Sequence, residues 1–350
     1  MRFRSLLPAI VAASCLAHSA QAQEVLPGLY FSYADWELAC DNTGTCRAVG
    51  YQRSADAAPV SVLLTRRAGP GQPVSGQLLL GERVDAAARL PPVLALTLRI
   101  DGRDAGSVMA GRSKVALPPK VLGALLAALP GTASIAWTAG TQRWQLSGEG
   151  AAAVLLKMDD FQRRIGTRGA LLKPGTRSEA QVLPATPVPV VNAARWVSTT
   201  PPDAHWVQAQ AAPLRQALRT SLGEQDYCPV LDDAAAAPLT VRRLDAQRLL
   251  VSARCWAGAY NVGDGYWVVD AAPPFHPVLV TTSGSEADEP AIVASHKERG
   301  LGDCRASDAW TWNDAAFIHT SSATSGMCRM VAAGGAWNLP RIVSDVRPAR

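Results

Sequence analysis

The side chains best able to do chemistry are six of the seven cysteines, four of the five histidines and a few clustered carboxylates. Cys40, Cys46, Cys228, Cys255, Cys304 and Cys328 form an even set, and none stands in the Cys-x-x-Cys spacing of a thioredoxin-like redox centre. In an oxidising compartment their default chemistry is disulfide formation. Position along the chain narrows the pairing to Cys40 with Cys46 across one hairpin, Cys228 with Cys255, and Cys304 with Cys328. His205, His276, His296 and His319 are too scattered to suggest a local metal site and include no His-Glu-x-x-His pair, so surface or structural roles are expected for them. Asp159 and Asp160 are adjacent on an expected helix. They therefore point about 100° apart, cannot face each other as an acid/base pair, and read as a solvated face. Asp232-Asp233 and the acidic run 286–289 lack the alternating oxygen ligands and glycine of a calcium loop. Gly258 and Gly263 have P-loop separation, but Asp264 stands where lysine is required, and there is no Gly-x-Ser-x-Gly elbow. The sequence therefore assigns no catalytic residue, metal or cofactor.

The compartment follows from the first residues. Arg2 and Arg4 precede an apolar stretch over residues 6–16 and the small-x-small pattern Ala20-Gln21-Ala22, the layout of a secretory leader cleaved near Gln23. Cys15 leaves with residues 1–22; the alternative, a lipoprotein acylated at Cys15, is disfavoured because Ala12-Ala13-Ser14 lacks the branched residue usual three before such a cysteine. No later segment approaches the ~20 apolar residues of a spanning helix, so a periplasmic or secreted protein that does not span the membrane is expected. The formal charge of +5 falls to about +3 once Arg2 and Arg4 are lost, too little to argue for a nucleic-acid partner. With 48% hydrophobic and 18% charged residues, the composition is that of an ordinary globular chain.

The elements that must hold these groups are mostly strands. Trp36, Leu38 and Cys40 alternate with polar neighbours, Asn42-Thr43-Gly44 supplies a turn, and Cys46, Ala48 and Gly50 resume the alternation. Residues 60–65 and 93–100 are further strands, the latter closed by the hairpin dipeptide Asp101-Gly102. Pro118-Pro119 opens a helix with Val121, Leu122, Leu125, Leu126 and Leu129 on one face. Residues 135–138 and 143–146 form a hairpin, and Ser147 caps a second helix carrying Val154, Leu155, Met158, Phe161 and Ile165 up to Gly166. Pro184, Pro187 and Pro189 interrupt any ladder or helix, which places a linker at 184–195. Beyond it, a helix at 213–222 precedes a meander with strands at 239–243, 249–256, 266–269, 278–282, 310–312 and 317–320. The expected fold is α+β in two domains, 23–183 and 196–350, each an antiparallel sheet with one or two packed helices and stabilised by disulfides. Trp256, Trp267, Trp310, Trp312 and Trp337 are expected to fill the second core. Tyr260 and Asn261, in a turn after Cys255-Trp256, are the candidate binding residues.

The string Asp35-Trp36-Glu37-Leu38-Ala39-Cys40-Asp41-Asn42 with Cys46 resembles the start of a proteobacterial family catalogued as domain of unknown function 1176. Leu146-Ser147-Gly148, Lys157-Met158-Asp159-Asp160-Phe161-Gln162, Cys255-Trp256-Ala257-Gly258-Ala259-Tyr260-Asn261 and Gly334-Gly335-Ala336-Trp337-Asn338-Leu339-Pro340 extend the resemblance over nearly the whole chain. The layout of the first half is also similar to the invasion-associated locus B family of exported proteins. That resemblance implies an envelope or secreted role and brings no catalytic residue. The function expected is an exported envelope protein acting as a non-catalytic binding module, its partner a protein or other envelope component. The alternative is a hydrolase of peptidoglycan or another envelope polymer, its carboxylates brought together only by the fold.

Overall fold

The computed structural model describes residues 28–56, 58–81, 90–233, 235 and 237–349; the expected leader, residues 1–22, lies outside them. The first half supplies β1 (Leu29–Tyr33), β2 (Trp36–Cys40), β3 (Cys46–Tyr51), β4 (Val60–Arg66), β5 (Val74–Leu80), β6 (Leu94–Ile100), β7 (Arg103–Ala110), β8 (Val115–Ala116), helix α1 (Pro119–Ala128), β9 (Ile135–Ala139), β10 (Gln142–Leu146) and helix α2 (Ala151–Phe161). Their strands form two antiparallel sheets, in the orders β1-β2-β3-β4-β5-β8 and β10-β9-β6-β7. Local chemistry sets the turns. Asp41 Oδ1 accepts from the amides of Thr43 and Thr45, and Gly44 takes φ +82°, a left-handed value that suits glycine. Asp101 and Gly102 both adopt positive φ between β6 and β7, as a two-residue hairpin requires. One core fills the space between the two sheets and the helices, centred on Trp36, Trp137 and Trp144.

The second half supplies β11 (Val190–Asn192), α3 (Pro201–Ala209), α4 (Ala211–Thr220), β12 (Thr240–Arg243), β13 (Arg248–Ala257), β14 (Val262–Asp270), β15 (Val278–Gly284), β16 (Glu286–Asp288), β17 (Ala291–Lys297), β18 (Arg305–Trp312), β19 (Phe317–Thr324), β20 (Leu339–Ile342) and β21 (Asp345–Arg347). Two more antiparallel sheets result, β12-β13-β14-β15 and β16-β17-β18-β19-β20. Strand alternation divides the first of these between two cores. Leu249, Val251, Trp267 and Val269 meet Leu214 and Leu218 of α4, whereas Leu250 and Tyr266 meet Ile292 and Trp312 of the neighbouring sheet. Disulfides join Cys40 to Cys46 across the β2–β3 hairpin, Cys228 to Cys255, and Cys304 to Cys328.

Four features differ from the sequence reading. Helix α2 ends at Phe161, short of Ile165, because Arg163 turns to φ +56°. That turn lets Gln162 donate to Gly44 O and Arg66 O, and lets buried Arg164 donate to Gly69 O. Asp159 is not on a solvated face: it is fully buried, 3.5 Å from Arg66 Nη1, while Asp160 beside it is exposed and pairs with Lys157. Burial raises the Asp159 carboxyl above its ordinary value, although the amides of Leu172 and Leu171 and the charges of Arg66 and Arg164 oppose the shift. Helix α3 occupies the start of the expected second domain. Its signal is Thr200-Pro201-Pro202-Asp203, in which Asp203 Oδ2 accepts from the Thr200 amide and hydroxyl.

The fourth concerns residues 184–195, which are more than a tether, since β11 pairs in parallel with the C-terminal strand β21. The last strands also pack on the first half. Ala39, Val49, Tyr51, Leu63 and Leu79 on the outer face of the six-stranded sheet share a core with Val331, Ala336, Trp337 and Leu339. This is why β2 is buried along its whole length instead of alternating. Trp337 belongs to this joint core, where its Nε1 donates to Ser61 Oγ at 2.8 Å. Around it, Arg329 Nη2 meets Asp35 Oδ1 at 2.7 Å, and the Met327 amide donates to Glu37 Oε1 at 2.7 Å. Burial raises the Glu37 carboxyl, against the bonds that it accepts from Tyr51, Met327 and Tyr30.

Candidate functional site

A groove of about 960 Å³ opens between the four-stranded and five-stranded sheets of the second half, within the usual size of a ligand site. Its walls come from the ends of β14 and β15, from the turn before β19 with β19 itself, and from β20. Val278, Leu279 and Val280 are consecutive, and all three line it. Consecutive strand residues point to opposite faces, so the groove runs along the edge of β15 where the backbone is presented. β15 is the last strand of its sheet, bonded only to β14 among the described residues. Val278 is 63% exposed. The segment Val278–Gly284 contains neither lysine nor proline, the residues that commonly guard an exposed edge.

Polar groups punctuate this apolar wall. His319 stacks on Trp310 with ring centroids 4.8 Å apart and planes 13° apart, and its Nε2 lies 2.9 Å from Asp308 Oδ1. Burial alone would raise the Asp308 carboxyl, but bonds from His319 and Ser322 and the charges of His319 and Arg341 outweigh it and hold the group below its ordinary value. An ionised Asp308 requires the proton on Nε2, which directs the His319 Nδ1 position away from the acid. Arg341 Nη2 donates to Ser322 Oγ at 3.0 Å, its Nε is buried without a partner, and it forms no ion pair with a carboxylate among the described residues. Towards the other end, His276 Nδ1 meets Asp270 Oδ2 at 2.9 Å, both side chains being more than half exposed. Arg248 fixes the rim. It bonds Asp245, donates to Asp314 O and Ala315 O at 2.7 Å each, and lies over the Trp312 ring.

The structure places Tyr260 and Asn261 elsewhere. They precede β14, whereas Asp270 at the groove ends it, a separation of roughly 25 Å at the rise of a strand. Asn261 donates to Lys297 O at 2.7 Å and accepts from the Lys297 amide at 3.0 Å, and Tyr260 OH donates to Glu298 O at 3.2 Å. These bonds stitch the β13–β14 loop to the end of β17. His296 packs on Trp256 at 5.2 Å, which is a structural contact. Of the tryptophans expected in the second core, Trp267 and Trp312 are fully buried, while Trp310 lines the groove. The groove residues were not visible as a motif because Arg248, Asp270, His319 and Arg341 lie far apart in sequence. The one partial signal was the alternation Trp310-Thr311-Trp312, which puts two indoles on one face.

Among the described residues, the group of three metal-type ligands is Glu298 with Cys304 and Cys328, and both sulfurs are bound to each other. No helix among the described residues is long and apolar enough to cross a membrane.

No solved structure matches the chain. An uncharacterized protein of Escherichia coli strain K12, YpfG, is 26% identical over 352 residues, covering 87% of this chain and 90% of the relative. The family described as Protein of unknown function (DUF1176) matches residues 30–344, and the chain belongs to that family.

Proposed function

We propose that the protein is a non-catalytic binding module of the bacterial envelope that holds an extended polypeptide segment of a protein partner in the groove beside β15. The observation that carries the proposal is the unpaired edge of β15 facing an apolar groove. An extended segment laid there completes the ladder with main-chain bonds and offers alternate side chains to the groove wall. Export rests on the leader at 1–22 and on the three disulfides, which belong to an oxidising compartment.

The test is selection of a displayed library of random 12-residue peptides against the purified protein. Selected peptides should bind the wild type, protect the amides of residues 278–282 from hydrogen exchange, and lose binding when Val278 and Val280 are replaced by lysine. Peptides that bind equally well to the lysine variant would place recognition elsewhere.

One observation favours the second reading, a hydrolase of peptidoglycan or another envelope polymer: His319 held by Asp308 has the arrangement of a general base. Against it, the Ser322 hydroxyl is engaged by Arg341 and Asp308, and no hydroxyl is hydrogen-bonded to His319 among the described residues. Release of soluble fragments from purified peptidoglycan, abolished by His319→Ala, would replace the binding proposal with this one.

A further inference from the structure

We infer that Arg341, with His319 beside it, reads an acidic side chain of the segment bound in the groove; this deepens the proposed function and rests on it. Arg341 lines the groove with its Nε buried and unbonded. Its side-chain bond runs from Nη2 to the neutral Ser322 hydroxyl at 3.0 Å. A guanidinium carries five donors in a planar fork that suits a carboxylate, and a buried donor without a partner is costly to keep. Nε itself is closed off, so a carboxylate arriving from the ligand pairs the charge through the part of the side chain that lines the groove.

The nearby acid does not meet this need. Asp308 is engaged by His319 and Ser322, and the Ser322 hydroxyl intervenes between it and Arg341. His319 adds a second polar position, an acceptor at Nδ1 while the ring is neutral and a donor there only when the ring is protonated. Its Nε2 is committed to Asp308 and its ring is fixed by stacking on Trp310, so Nδ1 is the nitrogen left for a ligand. The remaining wall here is apolar, from Ile342, Ile318 and Val280. Low polarity strengthens an ion pair and penalises an unpaired guanidinium. An added strand continues past the groove, so the carboxylate is assigned to a Glu or Asp side chain, not to a chain terminus.

The experiment is the same peptide selection run in parallel against the wild type, Arg341→Gln and Arg341→Lys, each first shown to retain the wild-type melting temperature and disulfides. The wild-type pool should be enriched in Glu or Asp at one position relative to its β-branched residues, and the Arg341→Gln pool should not. For a selected peptide and its Glu→Gln counterpart, Arg341→Gln should weaken the acidic peptide at least tenfold and the neutral one less than threefold, with Arg341→Lys between the two. Groove-binding peptides that show no acid enrichment, or enrichment unchanged in Arg341→Gln, overturn this inference and leave the proposed function standing. Sensitivity to C-terminal amidation but not to Glu→Gln also overturns it, by assigning the carboxylate to a terminus. If no selected peptide is sensitive to lysine at Val278 and Val280, the proposed function itself falls.

Discussion

Replacing Asp203 by asparagine should destabilise the protein by about 2 kcal/mol at neutral pH, an effect that disappears in acid. Asp203 is 3% exposed, accepts from the Thr200 amide and hydroxyl at the start of α3, and forms an ion pair with Arg243 of β12. The bond from Arg243 is the main reason that its carboxyl is lowered to about 2, against the opposing effect of burial. Each tenfold gain in acid strength on folding is worth about 1.4 kcal/mol, so a fall from an ordinary value near 3.8 to about 2 corresponds to about 2 kcal/mol. The folded carboxyl is the stronger acid, so this stability is fully present above about pH 4 and is lost as pH falls towards 2. Urea unfolding of the wild type and Asp203→Asn at pH values from 7 down to 2.5 measures it as a difference, which cancels the titration of other groups. The two proteins should differ by about 2 kcal/mol at pH 7 and converge in acid, where protonated Asp203 resembles asparagine. A difference below about 0.5 kcal/mol at pH 7 would class the pair with ordinary surface ion pairs. One that stays constant from pH 7 to 2.5 would mean that the variant suffers from misfitted packing and that the carboxylate charge is irrelevant.

Three further outcomes follow from the geometry. Removing the Cys228–Cys255 disulfide by a double alanine substitution should cost about 3.5 kcal/mol, from the chain-entropy model for a sequence separation of 27; calorimetry checks it, and a loss under 1 kcal/mol refutes the loop-closure account. Asn261→Ala should lower stability by about 1 kcal/mol without changing peptide affinity at the groove, because its two bonds to the Lys297 backbone are structural; a tenfold affinity loss at unchanged stability would return it to the binding site. Cleavage at a protease site inserted after Thr186, in an exposed stretch, should leave the two pieces bound together in gel filtration, because β20 and Trp337 pack on the first sheet. Separation into two independently melting fragments would show that the joint core is dispensable.

Much of the local structure was legible because local chemistry determines it. Asp101-Gly102 marked its hairpin, Pro118-Pro119 opened α1, and the alternation around Cys40 and Cys46 marked the β2–β3 hairpin. The misses share a cause of another kind. Asp159 was read with adjacent Asp160 as a solvated face; its environment comes from Arg66, 93 positions earlier in the chain. Helix α3 was missing from the reading, although Thr200-Pro201-Pro202-Asp203 carries a capping pattern. The groove lay further out of reach. It exists only because β15 ends one sheet and β19 and β20 stand opposite, and strand order is not written in periodicity. Tyr260 and Asn261 drew attention as loop residues, and their side chains bond the backbone of Glu298 and Lys297, away from the groove.

The return of the last strands to the first sheet has a consequence for how the chain is made. Until residues 327–342 emerge, the outer face bearing Val49, Leu63 and Leu79 has no cover, and Glu37 lacks the bond from the Met327 amide. A ribosome delivers the amino-terminal sheet first, so that face waits through the synthesis of more than 240 further residues. A product truncated before residue 327 keeps the apolar face open, even when the Cys40–Cys46 disulfide is in place. Burial of that face thus registers that residues 327–342 have been made, and chains lacking them present the kind of surface that chaperones and proteases recognise.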